Sequence, residues 1–170
     1  MQNMKSTAFI ALGSNLGDSR EVIRQAIKNL RALSTTDLRV SSLWETIPVD
    51  CPPGSPNFLN AVVALQLLPW LTPESLLQAL QSLEKAAGRQ PKKVMNEARV
   101  LDLDLIAFNN ETRHTPSLIL PHPRAHERRF VLEPLSEIAP DFLLLDQSKT
   151  VAQLLQALPF DPQMKNAGQI

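Results

Sequence analysis

The feature that most constrains the fold of this chain is a strict alternation of leucine and aspartate over residues 101–105. Side chains of a β-strand point alternately to opposite faces, so a strand here directs the leucines to one face and Asp102 and Asp104 to the other. The apolar residues up to Phe108 continue the strand. The chain must therefore cover one face of a sheet with apolar partners and hold two carboxylates side by side on the opposite face.

Apolar periodicity in the rest of the chain predicts an α+β fold. The predicted elements are a strand at residues 8–12, a helix capped by Asp18 and Glu21, strands at 38–44 and 58–67, a helix from Pro73 to Gly88 and a strand at 99–108. This order is that of a ferredoxin-like βαββαβ core, which is a mostly antiparallel sheet with helices packed on it.

The C-terminal third predicts additions to this core. A helical stretch near residues 126–132 precedes Pro134, which we expect to end or kink it because proline lacks the backbone N–H that a helix needs. Residues 151–158 predict a short final helix. We expect the polar tail from about residue 159 to be loosely attached.

Composition excludes several classes of protein. The 170 residues carry 17 basic and 17 acidic side chains, so the formal net charge is zero, and neither nucleic acid nor a membrane is expected as a partner. A single cysteine, Cys51, cannot form an internal disulfide, and the start of the chain lacks the layout of a signal peptide. We therefore expect one domain over residues 1–170 and a cytoplasmic location.

The aspartate pair allows two interpretations. Neighbouring carboxylates suit Mg²⁺, but acidic alternation is also common on solvated strand faces. The basic residues of 85–99 and 122–129 favour the first interpretation, because phosphoryl transfer combines a metal with arginine or lysine side chains that neutralise charge. A solvated basic surface remains the alternative for these two segments.

Other candidate residues favour structural roles when taken alone. The turn at residues 13–17 lacks the lysine of a P-loop and the three glycines of a dinucleotide-binding fingerprint. His122 lies between two prolines and is by default a structural histidine. Cys51 has no neighbouring base in sequence that would make it a nucleophile, and Trp44 and Trp70 favour core or rim positions.

Four ordered motifs resemble the 6-hydroxymethyl-7,8-dihydropterin pyrophosphokinase family. They are Ala11-Leu12-Gly13-Ser14-Asn15-Leu16-Gly17, Pro56-Asn57-Phe58-Leu59-Asn60-Ala61, Leu101-Asp102-Leu103-Asp104, and Pro121-His122-Pro123-Arg124 with its continuation to Leu135. The resemblance extends from Ala8 to about Phe142. It implies an ATP- and Mg²⁺-dependent transferase of folate biosynthesis that moves pyrophosphate from ATP to the pterin hydroxymethyl group and releases AMP.

The resemblance also implies roles for individual residues. Asp102 and Asp104 would bind two Mg²⁺ ions, with ATP as co-substrate, and would act in catalysis together with Arg89 and Arg99. The residues implied to bind ATP are Gln81, Glu84, Arg89, Lys92, Arg99, Leu105, His122 and Arg128. The residues implied to bind the pterin are Thr46, Val49, Phe58, Asn60 and Phe130. We expect the protein to be a monomer whose partners are its small-molecule substrates, ATP and hydroxymethyldihydropterin.

One segment departs from the family pattern. Many members carry Arg-Trp-Gly-Pro-Arg before the metal motif, whereas this chain has Met95-Asn96-Glu97-Ala98-Arg99. Pro91 stands where a second loop arginine is common, although Lys92 and Lys93 could supply the charge. Lysine lacks the bidentate fork of arginine, so we expect this loop to bind phosphate differently. The alternative function is therefore a non-catalytic pterin- or nucleotide-binding paralogue, and formation of AMP distinguishes the two. We expect the loops at residues 47–57 and 88–98 to act as lids.

Overall fold

The computed structural model describes residues 6–91 and 93–170 as a central antiparallel sheet between two layers of helices. The strands are β1 (Thr7–Ser14), β2 (Arg39–Val40), β3 (Trp44–Thr46), β4 (Phe58–Gln66), β5 (Asp102–Phe108), β6 (Arg113–His114), β7 (Ile119–Leu120), β8 (Leu143–Leu144), β9 (Lys149–Thr150) and β10 (Lys165–Asn166). The helices are α1 (Ser19–Leu30), α2 (Pro73–Ala86), α3 (Arg129–Ile138) and α4 (Val151–Ala157). No helix of the described residues is long and apolar enough to cross a membrane.

The main sheet has the strand order β10-β3-β4-β1-β5, and β2 also pairs with β4. Its central strand β1 is antiparallel to both β4 and β5. The order along the chain is β1, α1, the β2 and β3 segment, β4, α2 and β5, as the sequence predicts. The ferredoxin-like βαββαβ core is therefore confirmed. Two small hairpins, β6-β7 and β8-β9, lie outside this sheet.

The leucine face of β5 packs against the layer formed by α1 and α2. Leu101, Leu103 and Leu105 join a buried cluster with Ile10 of β1 and Leu80 of α2. The alternation at residues 101–105 therefore separates core from site as predicted. Regular strand begins at Asp102, so the expected start at residue 99 is three residues too early.

Helices α3 and α4 cover part of the opposite face. Phe9 of β1, Val62 and Ala64 of β4, and Leu132 of α3 belong to a second buried cluster. These helices lie over one end of the sheet, and the other end of the same face carries Asp102 and Asp104. The site therefore begins where the second helical layer stops.

Both core helices begin at the predicted caps. The Asp18 carboxylate accepts a hydrogen bond from the Glu21 N–H at 3.1 Å, and Thr72 and Ser75 form a reciprocal capping box ahead of Pro73. Gly88 follows α2 with φ of 96°, a left-handed conformation that glycine adopts without a Cβ penalty. These local signals are sufficient to fix the helix boundaries.

Three predicted elements differ in the structure. The expected strand at residues 38–44 is divided into β2 and β3. The stretch at 126–132 comprises a 3₁₀ turn, Ala125–Glu127, and only then α3, which starts at Arg129. Pro134 does not end this helix. It lies buried inside α3, which continues to Ile138. Packing against the sheet outweighs the one backbone hydrogen bond that proline cannot make.

The expectation of a loose C-terminal tail is wrong. Residues 165–166 form β10 and pair with Glu45 and Trp44 of β3. The Ala167 N–H donates to the Leu43 carbonyl at 2.8 Å, and Arg20 donates to the carbonyls of Ala167 and Gln169. Backbone pairing to an open sheet edge needs no apolar side-chain pattern, so the composition of the tail gives no sign of it.

Candidate functional site

The uncovered end of the sheet presents one row of neighbouring side chains. Gly13 of β1 is paired with Asp102 on one side and with Asn60 on the other, and Asn60 is paired in turn with Trp44. Directly paired residues in antiparallel strands point to the same face. The aspartates and Asn60 therefore lie on one surface. Gly13, which has no side chain, lies between Asp102 and Asn60.

Arginines surround the aspartate pair. Asp102 contacts Arg99 at 2.9 Å and Arg89 at 3.4 Å, while Asp104 lies 3.6 Å from Arg128. Three cationic side chains from three different segments thus converge on two carboxylates. Such a group can bind a polyanion, because the guanidinium groups are held in place yet stay partly exposed.

Burial shifts the proton affinities of Asp104 and His122. Burial, and then the nearby Asp102 charge, raise the pKa of Asp104 to about 6, against the opposing effect of Arg128. Burial, and then Arg128, lower the pKa of His122 to about 4, so its ring is neutral at pH 7. His122 Nδ1 accepts a hydrogen bond from the Arg124 N–H at 3.2 Å, which leaves the proton on Nε2, 4.0 Å from Asp104.

Arg128 reaches the site from a different backbone position than expected. It precedes α3 as its N-cap, with φ of −107° and ψ of 102°, and does not lie on a helix that starts near His126. Its guanidinium carbon lies 5.6 Å from the centre of the Phe130 ring. The next residue, Arg129, pairs with Glu133 at 3.0 Å and donates to the Pro159 carbonyl at 3.1 Å.

The last turn of α2 and the loop after it bring Glu84 and Arg89 into contact with β5. Glu84 is only 5% exposed, and its oxygens are engaged by the Leu103 N–H at 2.7 Å and by the Arg89 guanidinium. Burial raises the pKa of Glu84. Gln81 is exposed one turn earlier. The implied direct contact of Glu84 with ATP does not fit this arrangement, because both oxygens already face protein donors.

Leu105 also differs from its implied role. Its side chain is 4% exposed and belongs to the core between the sheet and the first helical layer. Only its backbone could contact a nucleotide. Lys92, another implied ATP ligand, lies outside the described residues.

Asn60 and Thr46 form the floor of the implied pterin side. Asn60 is 5% exposed, and its Nδ2 donates to the Trp44 carbonyl at 3.1 Å and to Thr46 Oγ1 at 2.9 Å. A backbone carbonyl only accepts, so this contact fixes the orientation of the amide. Oδ1 is left facing Gly13, where an added Cβ would lie 3.6 Å away.

Two aromatic rings and an exposed loop complete this side. Phe58 is partly buried on β4 opposite Thr46, and Phe130 is exposed at the start of α3. Val49 is 75% exposed on the proline-rich loop at residues 47–57. The structure therefore brings Phe58 and Thr46 together on neighbouring strands and leaves Val49 exposed on the loop.

The two predicted loops contact each other beside the site. Asn96 Nδ2 donates to the Asp50 carbonyl at 3.0 Å, and both residues have left-handed backbones, with φ of 54° and 52°. A cleft of about 230 Å³ lies beneath the second loop and is lined by Arg89, Lys93 and Arg99 among others. A larger cavity of about 570 Å³, beside Phe9 and Phe142, is distant from these residues and holds none of the predicted ligands.

Sequence reasoning missed two residues that hold the site together. Asn15 is buried in the turn after β1, where its Oδ1 accepts from the Arg99 N–H at 2.7 Å and its Nδ2 donates to the Pro56 carbonyl at 3.1 Å. Glu137 of α3 accepts from the Ser42 N–H and from Trp44 Nε1. The motif at residues 11–17 pointed to Asn15, but no local pattern identifies Glu137, whose partners lie about 95 residues away.

The two aspartates fit a magnesium ion that takes its remaining ligands from water and a substrate phosphate. Among residues 6–91 and 93–170, no three carboxylate, histidine or cysteine side chains come together as a metal-binding group. Mg²⁺ commonly uses one or two carboxylates, with water and substrate phosphates as its other ligands. Asp102 and Asp104 match that requirement, because their oxygens share one open face.

A ferredoxin-like sheet that carries an acidic pair ringed by arginines defines a site of the phosphoryl-transfer type. The particular family follows from the sequence. The family model described as 7,8-dihydro-6-hydroxymethylpterin-pyrophosphokinase (HPPK) matches residues 9–140, and the chain belongs to this family.

Similar proteins cover most of the chain. It is 43% identical over 136 residues to the 2-amino-4-hydroxy-6-hydroxymethyldihydropteridine pyrophosphokinase of Bacillus subtilis, covering 79% of each chain. It is 38% identical to the protein of the same name from Pseudomonas aeruginosa, covering 93% of this chain and 95% of that one. A solved Plasmodium falciparum HPPK-DHPS structure superposes with a TM-score of 0.75 at 14% identity, covering 97% of this chain and 49% of that one. The present chain thus spans about half of that solved protein, and the likeness establishes the fold.

Proposed function

We propose that residues 1–170 act as one pterin pyrophosphokinase domain, which transfers pyrophosphate from ATP to 6-hydroxymethyl-7,8-dihydropterin and releases AMP in folate biosynthesis. The observation that carries this proposal is the single surface on which Gly13 separates the aspartate pair from Asn60. A phosphate chain bound at Asp102 and Asp104 and a flat ring bound at Asn60 would then be neighbours. Family membership and the bacterial relatives support the same reaction.

The nucleotide half of the site would use the convergent cations. Arg89, Arg99 and Arg128 would neutralise the phosphates, and the neutral His122 would donate from Nε2. Gln81 and Lys92 remain further candidates for contacts to ATP. Cations held in place before the reaction stabilise charge where it develops, without reorganisation of solvent.

Asp102 and Asp104 would hold magnesium, and we propose two ions, with ATP as co-substrate. Bound magnesium supplies charge neutralisation at phosphate oxygens and lowers the pKa of a coordinated hydroxyl. The role of the protein is to hold the two carboxylates on a rigid strand at fixed separation. If a side chain accepts the hydroxyl proton, we propose Asp104 for that role.

The pterin half would combine stacking with hydrogen bonding. Phe58 and Phe130 can sandwich a flat heteroaromatic ring, and Val49 on the loop can cover it. The fixed amide of Asn60 presents Oδ1 as an acceptor for a ring N–H group, while Thr46 holds that amide in place. In-line attack on the β-phosphorus requires the pterin hydroxyl to lie opposite the oxygen of the departing AMP, and binding of the two substrates side by side would favour that alignment.

Product analysis tests the proposal. The protein is incubated with ATP, Mg²⁺ and 6-hydroxymethyl-7,8-dihydropterin, and AMP and ADP are quantified against a sample without the pterin. Pterin-dependent AMP in equal amount to the pyrophosphorylated pterin is expected. ADP as the main product, or no turnover with tight binding of both ligands, would refute it. We further propose that the protein is cytoplasmic and acts as a monomer, and sedimentation of the purified chain tests the monomeric state.

A further inference from the structure

Among the described residues, Glu84 is the only charged residue that is buried. Its exposed fraction is 5%, at the last turn of α2. Buried ion pairs contribute little net stability, because desolvation offsets much of their attraction. A buried carboxylate beside a site therefore calls for an explanation other than stability.

The carboxylate of Glu84 completes the free edge of β5. This strand is the last one of the sheet, so the Leu103 N–H has no neighbouring strand to receive it. Glu84 Oε1 accepts this hydrogen bond at 2.7 Å. Leu103 lies between Asp102 and Asp104. This one contact therefore ties the segment of β5 that carries both aspartates to α2.

The other oxygen of Glu84 holds Arg89. The Arg89 guanidinium pairs with Oε2, and the Arg89 N–H donates to the Glu84 carbonyl at 3.0 Å. The same guanidinium lies 3.4 Å from Asp102. Glu84 thus sets the distance between a phosphate-binding cation and the aspartate pair.

We propose that Glu84 is a positioning residue that acts through Leu103 and Arg89 and makes no contact with the nucleotide. This inference rests on the proposed function of the site. It assigns to Glu84 the alignment of two groups that come from separate segments of the chain, the β5 strand and the loop after α2.

Substitution by glutamine and by alanine separates the two contacts. In Glu84→Gln, the side-chain oxygen can still accept from the Leu103 N–H, but the charge that holds Arg89 is lost. We expect a rise of about tenfold or more in KM for ATP and a smaller fall in kcat, since one charged partner is removed. Glu84→Ala should also free the Leu103 amide and accelerate its hydrogen exchange. Glu74→Gln is the matched control, because Glu74 is an exposed glutamate on the same helix.

A double-mutant cycle with Arg89→Ala decides whether Glu84 acts through Arg89. If it does, adding Glu84→Gln to Arg89→Ala should change kcat/KM by no more than about twofold, because the partner is already absent. Effects that multiply would mean that Glu84 contacts the nucleotide directly, and would overturn the inference. Unchanged Leu103 exchange in Glu84→Ala would overturn it as well. Failure of the unsubstituted protein to form AMP would instead refute the proposed function, so the two failures are distinguishable.

Discussion

Arg128 and Arg129 are adjacent in sequence but should fail in different ways when replaced by alanine. Arg128 occupies the N-cap position of α3, and its guanidinium lies 3.6 Å from Asp104. Arg129 is the first residue of α3 and ties that helix to the C-terminal segment. We expect Arg128→Ala to lose activity and keep its stability, and Arg129→Ala to show the reverse.

The magnitude for Arg128 follows from its partners. Its pairing with the partly exposed Asp104 and its position over Phe130 stabilise the fold by about 1 kcal/mol, which corresponds to a fall in Tm of roughly 2–4 °C for a chain of this size. Removal of one preorganised donor from a developing charge typically costs about 10²–10³ in rate. We therefore expect kcat/KM to fall at least about 10²-fold.

Arg129 has more structural contacts and none with the aspartates. Its ion pair with Glu133, its hydrogen bond to the Pro159 carbonyl and its position over the Phe160 ring together stabilise the fold by roughly 2–3 kcal/mol. Its loss should lower Tm by roughly 4–12 °C. Activity measured well below that Tm should stay within about twofold of the parent, because a group outside the transition state does not enter kcat/KM.

The assay is AMP formation at several concentrations of each substrate, combined with thermal unfolding followed by circular dichroism. Activity of both variants is measured at one temperature at which each remains folded. Equal, small losses of activity in the two variants would show that Arg128 is another solvated surface charge. A large Tm loss in Arg128→Ala would show that its effect on rate is indirect.

Three further results are expected. Asp102→Ala should abolish Mg²⁺-dependent turnover, whereas Leu103→Ala should mainly lower stability, by roughly 2–5 kcal/mol; near-normal activity of the first variant would exclude the metal assignment. Gly13→Ala should fold, because its Cβ meets Asn60 Oδ1 at an ordinary 3.6 Å, but should raise KM for the pterin by about tenfold; an unchanged KM would place the ring elsewhere. Amide exchange of residues 47–57 and 88–98 should slow only when an ATP analogue and the pterin bind together, and unchanged exchange would contradict lid closure.

Elements with strong local signals could be predicted from the sequence. The alternation at residues 101–105 fixes which face of β5 is buried, since side-chain direction in a strand follows from position alone. The caps at Asp18 and Thr72 start α1 and α2, because side-chain acceptors next to free N–H groups act locally. The aspartate pair and its face were therefore predictable without tertiary information.

Features that depend on distant partners could not be predicted. Pro134 lies inside α3 because sheet packing outweighs a local penalty, and β10 forms because β3 leaves an edge open. The two contacts of Glu84 join α2 to β5 and to the following loop, so the sequence marked it only by resemblance, and with a different role. Arg128 lies beside Asp104 from the N-cap position of α3, and that position depends on the preceding 3₁₀ turn, which the sequence did not indicate.

The absence of a side chain at Gly13 has a consequence for inhibitors. A compound that occupies the pterin side would rest against backbone at this position, and a substitution that adds a Cβ would obstruct it. If the pterin binds where we propose, the same Cβ would obstruct its ring as well, because both would occupy the space beside Asn60 Oδ1. Resistance by this route should therefore reduce the fitness of the organism that acquires it. Compounds that keep within this part of the surface should therefore select for resistance at other positions.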